Sequence, residues 1–211
     1  MQKIKDFFKG LIERVDFKFW PVIAVPLLII LLTPPACRFL PIQYAYENSL
    51  IENFQLIVIL ITFIICLKAK TDKKFFYSLA FVMVILFLRE INCGRTVFFP
   101  VPGVENAFYS WKEIPYGYLA HPIYGAFMVL SGLYFICTKS YMVLLKYFLH
   151  AKINVYVWVC VFLGIIFGLY GEEISNPMLE EMTETLFYVS LMVIIYLQGF
   201  NKEYIKTTEN A

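Results

Sequence analysis

Histidine is almost missing from this sequence. There are two, His121 and His150, and they fall on opposite sides of the apolar blocks described below. They therefore cannot share a metal ion, and a membrane zinc hydrolase built on three histidines is disfavoured. Also missing are a glycine-rich nucleotide loop, an H-E-x-x-H pair and a paired C-x-x-C, so the sequence shows no complete catalytic set. Charge is scarce as well: 16% of the 211 residues are charged, where a soluble domain carries about 25%. The length leaves room for one bundle and no separate soluble domain. The first eighteen residues are too charged for a signal peptide and no small-residue cleavage site follows, so none is expected.

What the chain has instead is apolar. Hydrophobic residues make up 60% and aromatics 18%, and the mean hydropathy is +0.69. The apolar residues gather into blocks nearly free of charge, which marks an integral membrane protein. A helix needs about 20 mainly apolar residues to cross the hydrocarbon core, and six blocks qualify: residues 19–32, 50–67, 75–91, 118–137, 155–170 and 179–198. The first is short and holds Pro26, so it is expected to borrow length from the preceding segment and to bend, with Pro34 and Pro35 ending it. The fold class predicted is all-α, a polytopic membrane bundle of six transmembrane helices over residues 19–200, with a cytoplasmic tail at 201–211. Residues 1–18 are predicted to form an amphipathic interfacial helix. Ile4, Phe7, Phe8, Leu11, Ile12 and Val15 share one helical face there, and Lys3, Lys5, Lys9 and Arg14 lie off it. The segment YMVLLKYFLHAK, residues 141–152, reads the same way.

Orientation follows from the basic residues. With the N-terminus inside, fourteen of the eighteen fall on the inner side, in groups at residues 3–18, 68–74, 139–152 and 202–206. Only Arg38, Arg89, Arg95 and Lys112 remain outside. That asymmetry alternates through all six spans and places both termini in the cytoplasm. Ten glutamates run the other way, to the outer side, where they face four bases. Acids contribute little to topology, so their position needs another reason.

Some have an ordinary one. In SNPMLEEMTE, Asn176 can cap a helix, Pro177 suits its first position, and Glu180 and Glu181 favour the positive end of its dipole. Glu184 lies a turn further in, about 10 Å past Pro177. Glu52 and Gln55 sit at a similar depth on the second span, one turn apart on one stripe. A carboxylate at that level should face the bundle interior and needs a partner or water. The bases nearest in depth belong to FLREINCGRTVFF, residues 87–99. Arg89 is expected to compensate Glu52 or Glu184, with Glu90 projecting into the same outer vestibule. The candidate polar cluster is thus Glu52, Gln55, Arg89, Glu90, Arg95, His121, Glu172, Glu173, Glu180 and Glu184. His121, beside Pro122, reads as a hydrogen-bonded bundle residue. Phe98, Phe99, Phe108, Tyr109, Trp111, Tyr116 and Tyr118 read as an outer interfacial belt.

The stretch YENSLIENFQLIVILITFIICLKAK, the LREINCG after it and the terminal LEEMTETLFYVSLMVIIYL resemble a family of bacterial multi-pass membrane proteins. Those proteins carry an E-E-I-S-W-G-Q-type motif at the end of the third span. Glu90, Ile91 and Gly94 match that motif; Arg89, Asn92, Cys93 and Arg95 depart from it, and a literal EEIS stands instead at residues 172–175. The resemblance implies architecture and no activity. Cys37 and Cys93 both fall outside, where an oxidising compartment permits a disulfide.

Three functions stay open. One is a non-catalytic membrane subunit whose polar cluster orders the bundle. A second is binding or transport of a cation or cationic headgroup in the outer vestibule. The third is an enzyme on a lipid-linked substrate at the outer leaflet, a glutamate serving as base and Arg89 or Arg95 holding a phosphate. The expected partner is the lipid bilayer, with a headgroup, a cation or another membrane protein as further candidates and no nucleic acid. No cofactor is expected, although carboxylate oxygens suit a divalent cation.

Overall fold

Buried positions on the helix Leu50–Lys68 fall at 51, 52, 55, 58, 59, 62 and 66. That spacing of three and four is one stripe of an α-helix, and it carries Glu52 and Gln55 among its apolar residues. A computed structural model of the protein describes residues 12–209 and is mainly helical. After a short strand β1 (Val15–Asp16) and a 3-10 turn at Pro21–Ile23 come α1 (Ala24–Phe39), α2 (Leu50–Lys68) and α3 (Lys73–Glu90). The short α4 (Arg95–Phe98) leads to α5 (Ala120–Cys137) and α6 (Ser140–His150). Strand β2 (Ile153–Asn154), α7 (Val155–Glu173), α8 (Pro177–Phe200) and α9 (Lys202–Glu209) complete the order. Five helical segments are long and apolar enough to cross a membrane, or six if α3 and the bent Asn92–Phe98 segment count as one span.

Helix α8 is the centre of the packing. Asn176 caps it by accepting the Leu179 N–H at 3.1 Å, and Pro177 occupies its first turn. It packs along α7, α2 and α1, while α3 packs on α2, and α5 lies outermost against α3. Ile123, Met128, Val129, Leu130, Leu133 and Ile136 of α5 are all exposed, as suits a helix bathed in lipid.

The first span departs from expectation. Pro34 and Pro35 do not end it: α1 continues through both to Phe39. The span thus gains its length beyond the prolines and not from the segment before residue 19. Each proline forgoes one backbone hydrogen bond, yet Ile29, Thr33 and Ala36 are buried on one side of α1, which packs on α8, and that packing holds the helix on its course. The third span ends in a bend of 52°. Asn92, Cys93 and Gly94 take φ of 44°, 50° and 89° in succession, a left-handed run that glycine and asparagine accept more readily than cysteine. Of the expected interfacial helix, residues 1–11 lie outside the described residues. Residues 12–14 are helical and the chain then enters β1.

At one end of the bundle the N-terminal segment is clasped. Val15 and Asp16 pair in parallel with Ile153 and Asn154, and Arg14 donates to the carbonyls of Ala151 (3.0 Å) and Phe148 (2.8 Å). The Tyr204 hydroxyl donates to Asp16 at 2.6 Å, and Lys18 meets Glu203 at 2.6 Å. The Lys70 N–H bonds Gly199 O at 3.0 Å, and the Gln198 amide bonds Lys152 O at 3.0 Å. Segments that the sequence assigns to the inner side therefore meet at one end.

Burial opposes the charge on Asp16, but hydrogen bonds from Tyr204, the Lys18 N–H and Trp20 outweigh it and hold the carboxyl below its usual range. A depressed folded-state value adds stability above the unfolded pKa of about 3.9, and that stability is lost as pH falls through the folded value. Asp16→Asn is expected to remove this acid-side dependence while leaving other carboxylates to titrate. Thermal unfolding in detergent at a series of acid pH values, against wild type, checks it.

Candidate functional site

The opposite end gathers the glutamates. Four elements supply them: the first turns of α2, the last turn of α3, the last turn of α7 and the first turns of α8. Glu52 is 5% exposed and accepts the backbone N–H of Asn48, whose side-chain amide in turn donates to the Thr96 carbonyl. One turn along, Gln55 is 0% exposed. Its amide nitrogen reaches the Glu181 backbone carbonyl (3.0 Å), Glu181 Oε2 (2.9 Å) and Thr185 Oγ1 (3.1 Å). Gln55 thus ties α2 to α8.

Arg89 closes a second network. Its Nη2 stands 3.4 Å from Glu184 Oε1 and its Nε 3.9 Å from Glu90 Oε1. Glu90 also accepts the Tyr188 hydroxyl at 2.6 Å. Of the two partners expected for Arg89, the structure realises Glu184 and not Glu52. The Arg89 side chain is 57% exposed and that of Glu90 9%, so the cation sits at the rim and one of its partners deeper.

A crevice of about 210 Å³ opens beside this network between α3, α7 and α8. Arg89, Glu172, Glu180 and Glu184 line its polar part, and Leu86, Ile165 and Leu169 contribute to its apolar part. Glu173 is exposed. Arg95 and His121 stand apart from the glutamates. The Arg95 guanidinium is 5.9 Å from the Phe108 ring and 6.0 Å from that of Trp111, and His121 lies edge-on to Trp111 at 5.7 Å. They belong to an aromatic group where the loop meets the first turn of α5, and His121 is exposed there. Among the described residues no three His, Cys, Asp or Glu side chains are placed to hold a metal ion. Cys37 and Cys93 are free thiols, so the disulfide considered for them is not formed.

The residues that sequence reasoning missed are Glu181, Thr185 and Tyr188. A signal existed. Thr185 and Tyr188 follow Glu181 and Glu184 by one turn on α8, the spacing at which helical side chains meet. Glu181 was assigned to the helix dipole, a sufficient reason that hid a second one. Neighbours on a helix point about 100° apart, so Glu180 faces the crevice with α7 while Glu181 faces α2.

The fold and the site define an α-helical membrane protein with a polar cluster at one end of its bundle. No family model, curated protein or solved structure matches the chain.

Proposed function

We propose that the chain is a six-span inner-membrane protein, both termini cytoplasmic, whose outer Glu/Arg network orders the bundle. In this reading the protein is a non-catalytic subunit or scaffold within the membrane. The observation that carries it is the closure of Arg89 on Glu184 and Glu90, with Tyr188 completing the set. A cation satisfied by its own protein's carboxylates serves register and packing more readily than it serves a ligand. The likeness to bacterial multi-pass proteins supports the inner membrane, and the fourteen-to-four basic asymmetry supports the orientation.

Reporter fusions test the topology. Those after Lys70, Ser140 and Ala211 are expected to report cytoplasm, and those after Gln43, Gly103 and Asn176 the outer side. An outside signal at Ala211 removes the six-span reading.

A second reading, cation binding in the outer vestibule, rests on a different observation. Among the described residues Glu52 and Glu181 have no basic group within ion-pair distance. Arg89 compensates the other half of the cluster only.

A further inference from the structure

Among the described residues, two buried polar atoms at this end of the bundle have no hydrogen-bond partner: Gln55 Oε1 and Thr96 Oγ1. Gln55 and Thr96 are each 0% exposed. Gln55 follows Glu52 on the same buried stripe and its amide nitrogen is 2.9 Å from Glu181 Oε2, which holds its orphan oxygen between the two carboxylates' helices. The Thr96 backbone carbonyl is joined to Glu52 through Asn48. Buried amide oxygens and hydroxyls are nearly always satisfied, so an orphan pair at this spot calls for something absent from the protein itself.

The charges make the same demand. Glu181 feels the negative charges of Glu184, Glu52 and Glu90, and Glu52 those of Glu47, Glu90 and Glu184. The charged groups of the packed elements are Arg89 and Glu90 on α3 and Glu184 on α8, with Glu180 turned to the crevice beside α7. Arg89 is engaged with Glu90 and Glu184. Gln55 supplies one N–H to Glu181 and Asn48 one to Glu52, but a carboxylate has roughly four acceptor positions. The region therefore offers oxygens and negative charge with too few donors.

We infer that Glu52, Gln55 and Glu181 form a binding site for one small cation, a proton or a hard metal ion. Carboxylate and amide carbonyl oxygens are the ligands hard cations prefer, and a proton on either carboxyl would add a donor to a region short of them. The site rests on the second reading above and is separate from the Arg89 network. It binds by neutralising charge that Arg89 does not reach, so it is occupied whenever the bundle is at its most stable.

The test uses the whole protein in detergent. Thermal unfolding is followed in choline chloride, then with sodium or calcium chloride at equal ionic strength near pH 8, then in choline from about pH 8 to about pH 6. Wild type is expected to gain about 3–5 °C in Tm from at least one arm. Glu52→Gln and Glu181→Gln should lose that gain, and Glu113→Gln, a loop carboxylate bonded to Ser110, should keep it. A response to metal names the metal ion as occupant, and a response to pH alone names the proton. Should the site variants fail to fold, difference infrared spectra of wild type report the same event through its protonated-carboxyl band, which should fall with rising pH or added metal. A wild type indifferent in both measurements overturns the site, as does an unchanged response in both variants. Neither result alters the Arg89–Glu184 coupling, which is measured separately.

Discussion

Gly164→Leu is expected to cost about 3 kcal/mol, at the upper end of what overpacking a core costs. The reason is how closely α7 lies on α8. A Cβ at Gly164 would stand 3.1 Å from the Phe187 nitrogen, 3.1 Å from the Thr183 carbonyl and 3.2 Å from Phe187 Cβ. At Gly171 it would stand 2.8 Å from the Glu180 nitrogen. Backbone atoms cannot swing aside as a side chain can, so a larger residue must push the helices apart. Small residues that bring backbones together are a usual device of membrane helices, where apolar burial alone drives little association. Gly125 provides the contrast, because a Cβ there meets nothing within 4 Å. Gly125→Leu should be neutral or gain up to about 1 kcal/mol of helix propensity. Thermal unfolding in detergent compares the two. Equal stability for both variants would show that α7 and α8 are not in backbone contact. Since Gly164 and Gly168 also line the crevice beside Arg89, the same substitution should disturb the Glu184 pair.

Helices were legible where one rule applied and hidden where two competed. The run at residues 50–67 became Leu50–Lys68 and that at 118–137 ended at Cys137, because an apolar block of that length has few alternatives. Pro34 and Pro35 read as a stop, since proline breaks helices in water; burial of Ile29 and Ala36 overrode that preference. The bend at Asn92–Gly94 was written in an Asn and a Gly, but a third left-handed residue, Cys93, could not be foreseen from propensity. Pairing of β1 with β2 joins segments some 140 residues apart through two residues each, too short to leave any pattern in sequence. Within the site, the spacing of Glu52 and Gln55 announced a buried polar stripe, and the depth of Arg89 announced a need for acids. Which acid it takes depends on how α3 and α8 are rotated about their axes, and the sequence carries no such angle.

Arg89→Ala is expected to cost about 2–3 kcal/mol. An exposed ion pair contributes about 1 kcal/mol or less, and breaking a buried one costs about 3–5. The Arg89 side chain is half-exposed, but it leaves behind Glu184 and the nearly buried Glu90. The loss is therefore mostly the repulsion of two carboxylates that no other basic group reaches among the described residues. Pairing Arg89→Ala with Glu184→Gln should recover about half of it, since one of the two charges is then gone. Glu52→Gln should couple more weakly, because Glu52 touches Asn48 and not Arg89 and meets Glu90 and Glu184 only through space. Tyr188→Phe should couple through Glu90, whose carboxylate it shares at 2.6 Å; a hydrogen bond to a charged group contributes about 1.5–3 kcal/mol. Arg95→Ala gives the baseline outside the network: its guanidinium meets the Phe108 and Trp111 rings, and such contacts contribute about 0.5–1 kcal/mol where solvent reaches them. The measurement is a double-mutant cycle on unfolding in detergent, in which residues sharing a network show coupling and distant ones add. Coupling to Glu184 and Tyr188 that exceeds any coupling to Glu52 is what a bundle-ordering network requires. If Arg89→Ala unfolds like wild type, the network does not order the bundle, and Arg89 at the mouth of the crevice becomes a residue that meets a ligand.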